Sequence, residues 1–134
     1  MPKQILQSGS APVTGFTDVQ TPSPLAQAIR AGDFIYVSGQ GPLDPETRTV
    51  VSEDIREQTR QTLDNLVNVL AAGGADLTHV VNMRVCLRDT ADFPAFNETF
   101  RDYMAGEKVT RTCVGGTPHR AGVNVEIDCV AYLG

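Results

Sequence analysis

The residues most capable of chemistry in this chain are Arg111 and Glu126, which lie in two successive apolar, β-branched segments near the C-terminus. Such segments predict β-strands, and a charged side chain inside a strand needs a partner or a ligand. A guanidinium offers a planar fork that binds a carboxylate through two hydrogen bonds, and a carboxylate can position or deprotonate a water molecule. Together they suggest a reaction in which an activated water molecule attacks a small organic acid.

A structural explanation is open for the same two residues. Arg111 and Glu126 could form an ion pair between strands at a subunit interface, and from the residues alone this is the more frequent case. Cys113 has no histidine adjacent in sequence and lies in a strand that we expect to be buried. A packed thiol is therefore a better interpretation of Cys113 than a nucleophile.

Composition narrows the class of protein. The length of 134 residues suits a single domain spanning residues 1–134. Acidic residues outnumber basic ones by 16 to 11, which gives a formal net charge of −5 and argues against a nucleic-acid partner. The sequence shows neither a signal peptide nor an apolar stretch of about 20 residues, so we expect a soluble cytoplasmic protein without membrane contact. The three cysteines are widely separated and suggest neither disulfides nor a metal site.

Apolar periodicity predicts the elements that position these residues. One helix is expected to follow Ser52 as its N-cap and to stop at Gly73-Gly74, and a second helix is expected from about residue 92 to 104. Residues 7–24, rich in Ser, Thr, Gly and Pro, are expected to form an irregular loop. The predicted strands are 3–6, 25–30, 34–38, 80–88, 109–114 and 123–133.

Pairing of these strands follows from turns and alternation. Ala31-Gly32-Asp33 suits a tight hairpin between the second and third strands, and the last two strands are expected to form another hairpin. Glu126 is expected on the polar face of its strand. The fourth strand is expected to have an apolar face formed by Val81, Met83, Val85 and Leu87. The second helix is expected to have an apolar face formed by Phe93, Phe96, Phe100 and Tyr103. The order predicts an α+β fold, a mixed sheet of about six strands covered on one face by two helices.

Several linked motifs extend from roughly residue 24 to residue 131. They are the segments 27–40, 42–47 and 58–66, Asp92-Phe93 with Asn97-Glu98, Arg111-Thr112-Cys113-Val114, and Val125-Glu126-Ile127. In their order, and nearly in their spacing, these motifs resemble the Rid (reactive intermediate deaminase), or YjgF, family.

The resemblance implies a chorismate-mutase-like fold assembled as a homotrimer, with three active clefts between neighbouring subunits. It implies hydrolysis of imines, such as 2-iminobutanoate and 2-iminopropanoate, and of the tautomers of enamines such as 2-aminoacrylate. The products are 2-oxo acids and ammonia. The small-molecule substrate is the expected partner, and no metal or organic cofactor is implied.

The resemblance also assigns roles to individual residues. Arg111 matches the arginine that holds the substrate carboxylate, and Glu126 matches the glutamate that orients water. Further positions of the cleft fall on Ser38, Gly39, Asn97 and Cys113, with Gly39 and Cys113 as backbone contacts.

One departure from the family pattern bears on the substrate. Leu25 stands where the family commonly has a tyrosine, so the cleft loses a hydrogen-bonding hydroxyl. This substitution suggests a bulkier or more apolar 2-imino acid than the typical substrate.

Three alternative functions are open. The first is a regulatory trimer that binds a 2-oxo acid without turnover, and the second is an aminomuconate-type deaminase, which would require a second cation near Arg111. The third is the ribonuclease or translation-inhibitor activity of some relatives, against which the acidic charge argues.

Overall fold

The computed structural model describes residues 2–12 and 23–134, and these contain six β-strands and two α-helices. The strands are β1 Gln4–Leu6, β2 Ala28–Ala31, β3 Phe34–Gln40, β4 Val80–Leu87, β5 Thr110–Gly115 and β6 Val125–Tyr132. The helices are α1 Ile55–Ala72 and α2 Phe93–Met104. The predicted mixed sheet with two helices is confirmed.

The strands form one sheet in the order β1-β2-β3-β6-β4-β5. The hairpin between β2 and β3 is confirmed, with Gly32 at its turn in the left-handed conformation, φ +60°. The predicted hairpin between the last two strands is wrong, because β4 lies between β5 and β6. The reason is the α2 crossover, which lets β5 pair parallel with β4, while β6 pairs antiparallel on the other side of β4.

One face of the sheet packs against both helices, and this layer contains the core. Fully buried core residues include Met83, Val85 and Ile127 of the sheet and Leu63 and Leu66 of α1. The predicted inward position of Val81 is wrong. A register irregularity between Val80 and Asn82 turns Val80 into the core and leaves Val81 44% exposed.

The helix ends differ in how well the sequence predicts them. Asp54, and not Ser52, is the N-cap of α1, because its carboxylate accepts a hydrogen bond from the Arg56 backbone N–H at 2.9 Å. The predicted stop at Gly73 is confirmed. The second helix ends at Met104, where Ala105 and Gly106 both have positive φ, as expected for a helix C-terminus.

The predicted irregular loop, residues 7–24, is only partly described. Its first part lies against the sheet, where the buried Gln27 side chain donates hydrogen bonds to the carbonyls of Ser8 and Pro12. Residues 13–22 lie outside the described residues. Within the described ranges, no helix is long and apolar enough to cross a membrane.

Candidate functional site

Arg111 lies on β5, one of the two edge strands of the sheet, and pairs with Met83 of β4. Paired residues share a face of the sheet, so the Arg111 side chain lies on the side that the helices cover. Its guanidinium carbon is 4.8 Å from the ring centroid of Phe100, 5.6 Å from that of Phe96 and 5.7 Å from that of Phe93.

The hydrogen-bonding groups of Arg111 are unused within the part of the chain that is described. No side chain or backbone group there ion-pairs with the guanidinium or accepts a hydrogen bond from it. A guanidinium carries five N–H donors in a fixed fork, and Arg111 is partly buried. Arg111 is therefore equipped to bind an anion.

Glu126 lies on β6 opposite Cys86 of β4, on the face of the sheet that the helices leave open. Its Oε1 atom lies against the backbone of Gly39, where a Cβ atom would overlap it. An irregularity between Val37 and Gln40 interrupts the pairing of β3 with β6 at this point. The Glu126 carboxylate also forms no hydrogen bond or ion pair with the residues in the described ranges.

Ser38 and Leu25 border the same open face. The Ser38 hydroxyl donates a 2.7 Å hydrogen bond to the Ala26 carbonyl, which ties β3 to the segment that carries Leu25. Leu25 is 58% exposed and lines a groove of about 640 Å³ together with Ser38, Gly39 and Tyr36. The hydroxyl of Ser38 thus fixes the groove wall, and Leu25 gives that wall an apolar surface.

Cys113 and Asn97 lie with Arg111, not with Glu126. Cys113 pairs with the buried Val85 and packs against the core. Burial raises the pKa of the Cys113 thiol, while nearby Arg111 lowers it by a smaller amount. Such a thiol is protonated at neutral pH, as expected for a packed residue. Asn97 is half-buried on α2, one turn from Phe93 and from Phe100.

The predicted site residues therefore form two groups on opposite faces of the sheet. Arg111, Cys113 and Asn97 form the edge group, between β5 and α2. Glu126, Ser38, Gly39 and Leu25 form the open-face group. Since β4 separates β5 from β6, the two strands are about 10 Å apart, and one chain does not bring Arg111 and Glu126 together.

Sequence reasoning missed the aromatic surroundings of Arg111. Phe93, Phe96 and Phe100 were assigned to the core, and Phe96 and Phe100 are indeed buried, but Phe93 is 38% exposed. Their spacing at i, i+3 and i+7 places all three on one stripe of α2. The spacing showed that the rings share a face, whereas the strand on which they pack depends on the β4-α2-β5 crossover.

Comparison with known proteins identifies related chains. Residues 17–133 match the family model described as endoribonuclease L-PSP. A RutC family protein of Pyrococcus horikoshii is 39% identical over 109 residues, which cover 81% of this chain and 86% of that protein. The chloroplastic reactive intermediate deaminase A of Arabidopsis thaliana is 36% identical over 110 residues, which cover 82% of this chain and 59% of that protein.

Solved structures give the same result for the fold. The crystal structure of a putative endoribonuclease L-PSP from Entamoeba histolytica superimposes with a TM-score of 0.87 at 30% sequence identity. The alignment covers 98% of this chain and 100% of that one. The similarity thus spans both groups of predicted site residues.

Proposed function

Because the chain belongs to the endoribonuclease L-PSP family, which is also the Rid or YjgF family, we propose that it hydrolyses reactive 2-imino and enamine acids to 2-oxo acids and ammonia. The observation that carries the proposal is the partly buried Arg111, whose guanidinium has no hydrogen-bond acceptor among the described residues. A related protein named as a deaminase of reactive intermediates supports the reaction class.

Arg111 binds the substrate carboxylate in this proposal. A carboxylate accepts two parallel N–H bonds from the guanidinium, which fixes both the position and the orientation of the acid. Asn97 and Cys113 lie in the same edge group and complete the contacts, Asn97 through its side chain and Cys113 through its backbone. Fixing one end of the substrate brings the imine carbon to a defined place, which is the main requirement for an electrophile that is already reactive.

Glu126 directs the water. The substrate reacts as its protonated imine: the water oxygen forms a bond to the imine carbon, the electron pair of the carbon–nitrogen π bond moves to the nitrogen, and the water loses a proton to the Glu126 carboxylate. The resulting carbinolamine carries both a hydroxyl and an amino group. Glu126 returns this proton to the amino group. The carbon–nitrogen bond then breaks and its electron pair leaves with ammonia, while the hydroxyl becomes the carbonyl of the 2-oxo acid and loses its proton through the Glu126 carboxylate to solvent.

The complete site requires two copies of the chain, and we propose the homotrimer that the family resemblance implies. The separation of Arg111 from Glu126 by the thickness of the sheet supports this arrangement, because a single small acid cannot contact both side chains within one chain. The open face also exposes the rings of Phe34, Tyr36 and Tyr132, with the Phe34 and Tyr132 centroids 5.0 Å apart. Exposed aromatic clusters of this kind are typical of interfaces.

The substrate is proposed to have an apolar side chain larger than that of the smallest imino acids. Leu25 supplies an exposed hydrocarbon surface at the groove in place of a hydroxyl. One added methylene in an apolar pocket changes catalytic efficiency by roughly tenfold or more. Equal or better turnover of the smallest imine would contradict this size preference.

The test is hydrolysis of 2-imino acids generated in situ by an amino-acid oxidase, with semicarbazide trapping the imine that escapes the enzyme. Small, aliphatic and aromatic side chains are compared, with wild type and the Arg111→Ala variant side by side. Arginine-dependent loss of the trapped imine, with release of ammonia, is the expected result. No acceleration with any imine would overturn the deaminase.

Ligand binding without turnover is the second function that the same geometry supports, because a guanidinium with free donors binds a 2-oxo acid equally well. Binding of a 2-oxo acid in the absence of imine hydrolysis would favour this function. The family description names an endoribonuclease, but the net charge of −5 gives this chain no basis for electrostatic attraction to RNA.

A further inference from the structure

Three phenylalanine rings of α2 surround the one guanidinium of the edge group, at 4.8, 5.6 and 5.7 Å. We propose that Phe93, Phe96 and Phe100 form an aromatic seat that positions Arg111, so that α2 sets the affinity of the site for carboxylates. The inference rests on the proposed function, because it assigns the substrate carboxylate to Arg111.

The seat offsets a cost that arises because no described residue accepts a hydrogen bond from the partly buried Arg111. Partial burial removes water from the guanidinium, which costs free energy when no acceptor replaces that water. The face of an aromatic ring carries negative charge and attracts a cation within about 6 Å, so the rings offset part of this cost without using any N–H donor. A carboxylate of the protein would offset it too, but it would occupy the donors that the ligand needs.

The rings are themselves held firmly. Phe96 and Phe100 have centroids 5.6 Å apart, and Phe93 and Phe96 have centroids 6.4 Å apart, so the three rings contact one another in sequence. Phe96 is fully buried and anchors the group in the core. A side chain with few rotatable bonds that packs on its neighbours restricts the arginine at small entropic cost.

A purely structural role makes a different prediction. If the rings served only the core, their electronic character would not matter, and Arg111 would find its position regardless. Tyr103 provides a matched control, because it is another aromatic residue of α2 but its hydroxyl donates a 2.6 Å hydrogen bond to Asp64 of α1. Among the described residues, the rings within cation–π distance of Arg111 are the three of the seat, and that of Tyr103 is not one of them.

The experiment measures the affinity for 2-oxobutanoate by calorimetry and the KM and kcat for imine hydrolysis in the full-length protein. The variants are Phe93→Leu, Phe100→Leu and Tyr103→Phe, together with Phe100 replaced by phenylalanine carrying one, three or five ring fluorines. Fluorination weakens the negative ring face and changes the ring size little. Melting temperatures are recorded for every variant.

If the seat positions Arg111, the affinity for 2-oxobutanoate falls with each increase in the number of ring fluorines on Phe100. Binding becomes about three- to tenfold weaker with five fluorines. KM rises by the same factor while kcat is unchanged, and Tyr103→Phe behaves as wild type.

Unchanged affinity across the fluorinated series would overturn the seat even if imine hydrolysis is strong. Ring-dependent binding of 2-oxobutanoate without imine hydrolysis would overturn the deaminase and support the seat. Absence of both binding and turnover in wild type would overturn both.

Discussion

Two pairs of arginine and acid occupy the same three strands, and the fold treats them differently. Arg84 and Asp128 face each other across β4 and β6 on the open face, with Nε and Oδ1 3.0 Å apart. Arg111 and Glu126 lie on opposite faces of the sheet, and neither has a polar partner in the described parts of the chain. Arg84 and Asp128 satisfy each other's charge and hydrogen-bonding groups. The Arg111 donors and the Glu126 acceptors are instead available to a ligand.

In these two pairs, the type of residue is a weaker sign of function than the state of its hydrogen bonds. Asp128 raises the pKa of Arg84 through a hydrogen bond and through its charge, as in an ordinary ion pair. The Arg111 guanidinium meets aromatic rings instead. Substitutions in the two pairs should therefore have different effects.

The largest effect is expected from Arg111→Ala. Removing the group that holds the substrate carboxylate should lower kcat/KM by roughly a hundredfold or more. Arg84→Gln is the matched control, and its kcat/KM should stay within about threefold of wild type, because its charge is already paired. Steady-state hydrolysis of an aliphatic 2-imino acid measures both. Equal losses of kcat/KM in Arg111→Ala and Arg84→Gln would show that the two arginines do not differ in function.

Glu126→Gln is expected to have the next largest effect. The amide keeps the shape of the side chain but cannot accept a proton from water, so kcat should fall about a hundredfold with little change in KM. Asp128→Asn, which neutralises the paired carboxylate two residues away, should leave kcat nearly unchanged. If Asp128→Asn lowered kcat as much as Glu126→Gln, the assignment of the water-directing role to Glu126 would be wrong.

Gly39→Ala tests the position of the Glu126 carboxylate. A Cβ atom at residue 39 overlaps Oε1, so the flexible end of the glutamate must move while the backbone stays in place. We expect kcat to fall about tenfold, because small displacements of a catalytic group are costly. Gly41→Ala is the control, since its Cβ would meet Val123 at an ordinary 3.7 Å. Circular dichroism melting should show both variants folded, and wild-type kcat in Gly39→Ala would argue against this placement.

The smallest effect is expected from Cys113→Ala. The thiol packs against the core and burial raises its pKa, so it is a poor nucleophile at neutral pH. Because the proposed contact of this residue is its backbone, activity should remain within about threefold of wild type. Initial rates and the yield of ammonia give the comparison. Complete loss of turnover in a folded Cys113→Ala protein would point to a covalent mechanism.

Local patterns in the sequence predicted the elements well and their arrangement less well. Gly32 and Gly74 have positive φ, a backbone conformation that few other residues adopt, so the first hairpin and the end of α1 were predictable. The pairing of β5 with β4 depends on contacts distant in sequence, and the hairpin expected from proximity was wrong. Val81 was misplaced because a one-residue irregularity changes which face a side chain occupies.

The candidate site shows the same division. Alternation along β6 placed Glu126 on the polar face, which is where it lies. The opposite orientation of Arg111 follows from the parallel register of β5, which no local pattern indicates. The sequence did not predict the aromatic seat, because phenylalanines at helical spacing are typical of an ordinary hydrophobic core.

The most direct test of the central claim, that Arg111 of one copy acts with Glu126 of another, is co-expression of the Arg111→Ala and Glu126→Gln chains with different affinity tags. Each variant alone has little activity, and mixed assemblies are purified through both tags. In a ring of three copies whose clefts each take the arginine from one copy and the glutamate from its neighbour, every assembly that contains both variants has about a third of its clefts intact. We expect the mixed assemblies to recover about a third of the wild-type activity, in proportion to their intact clefts. Activity no higher than that of the separate variants would contradict a shared cleft.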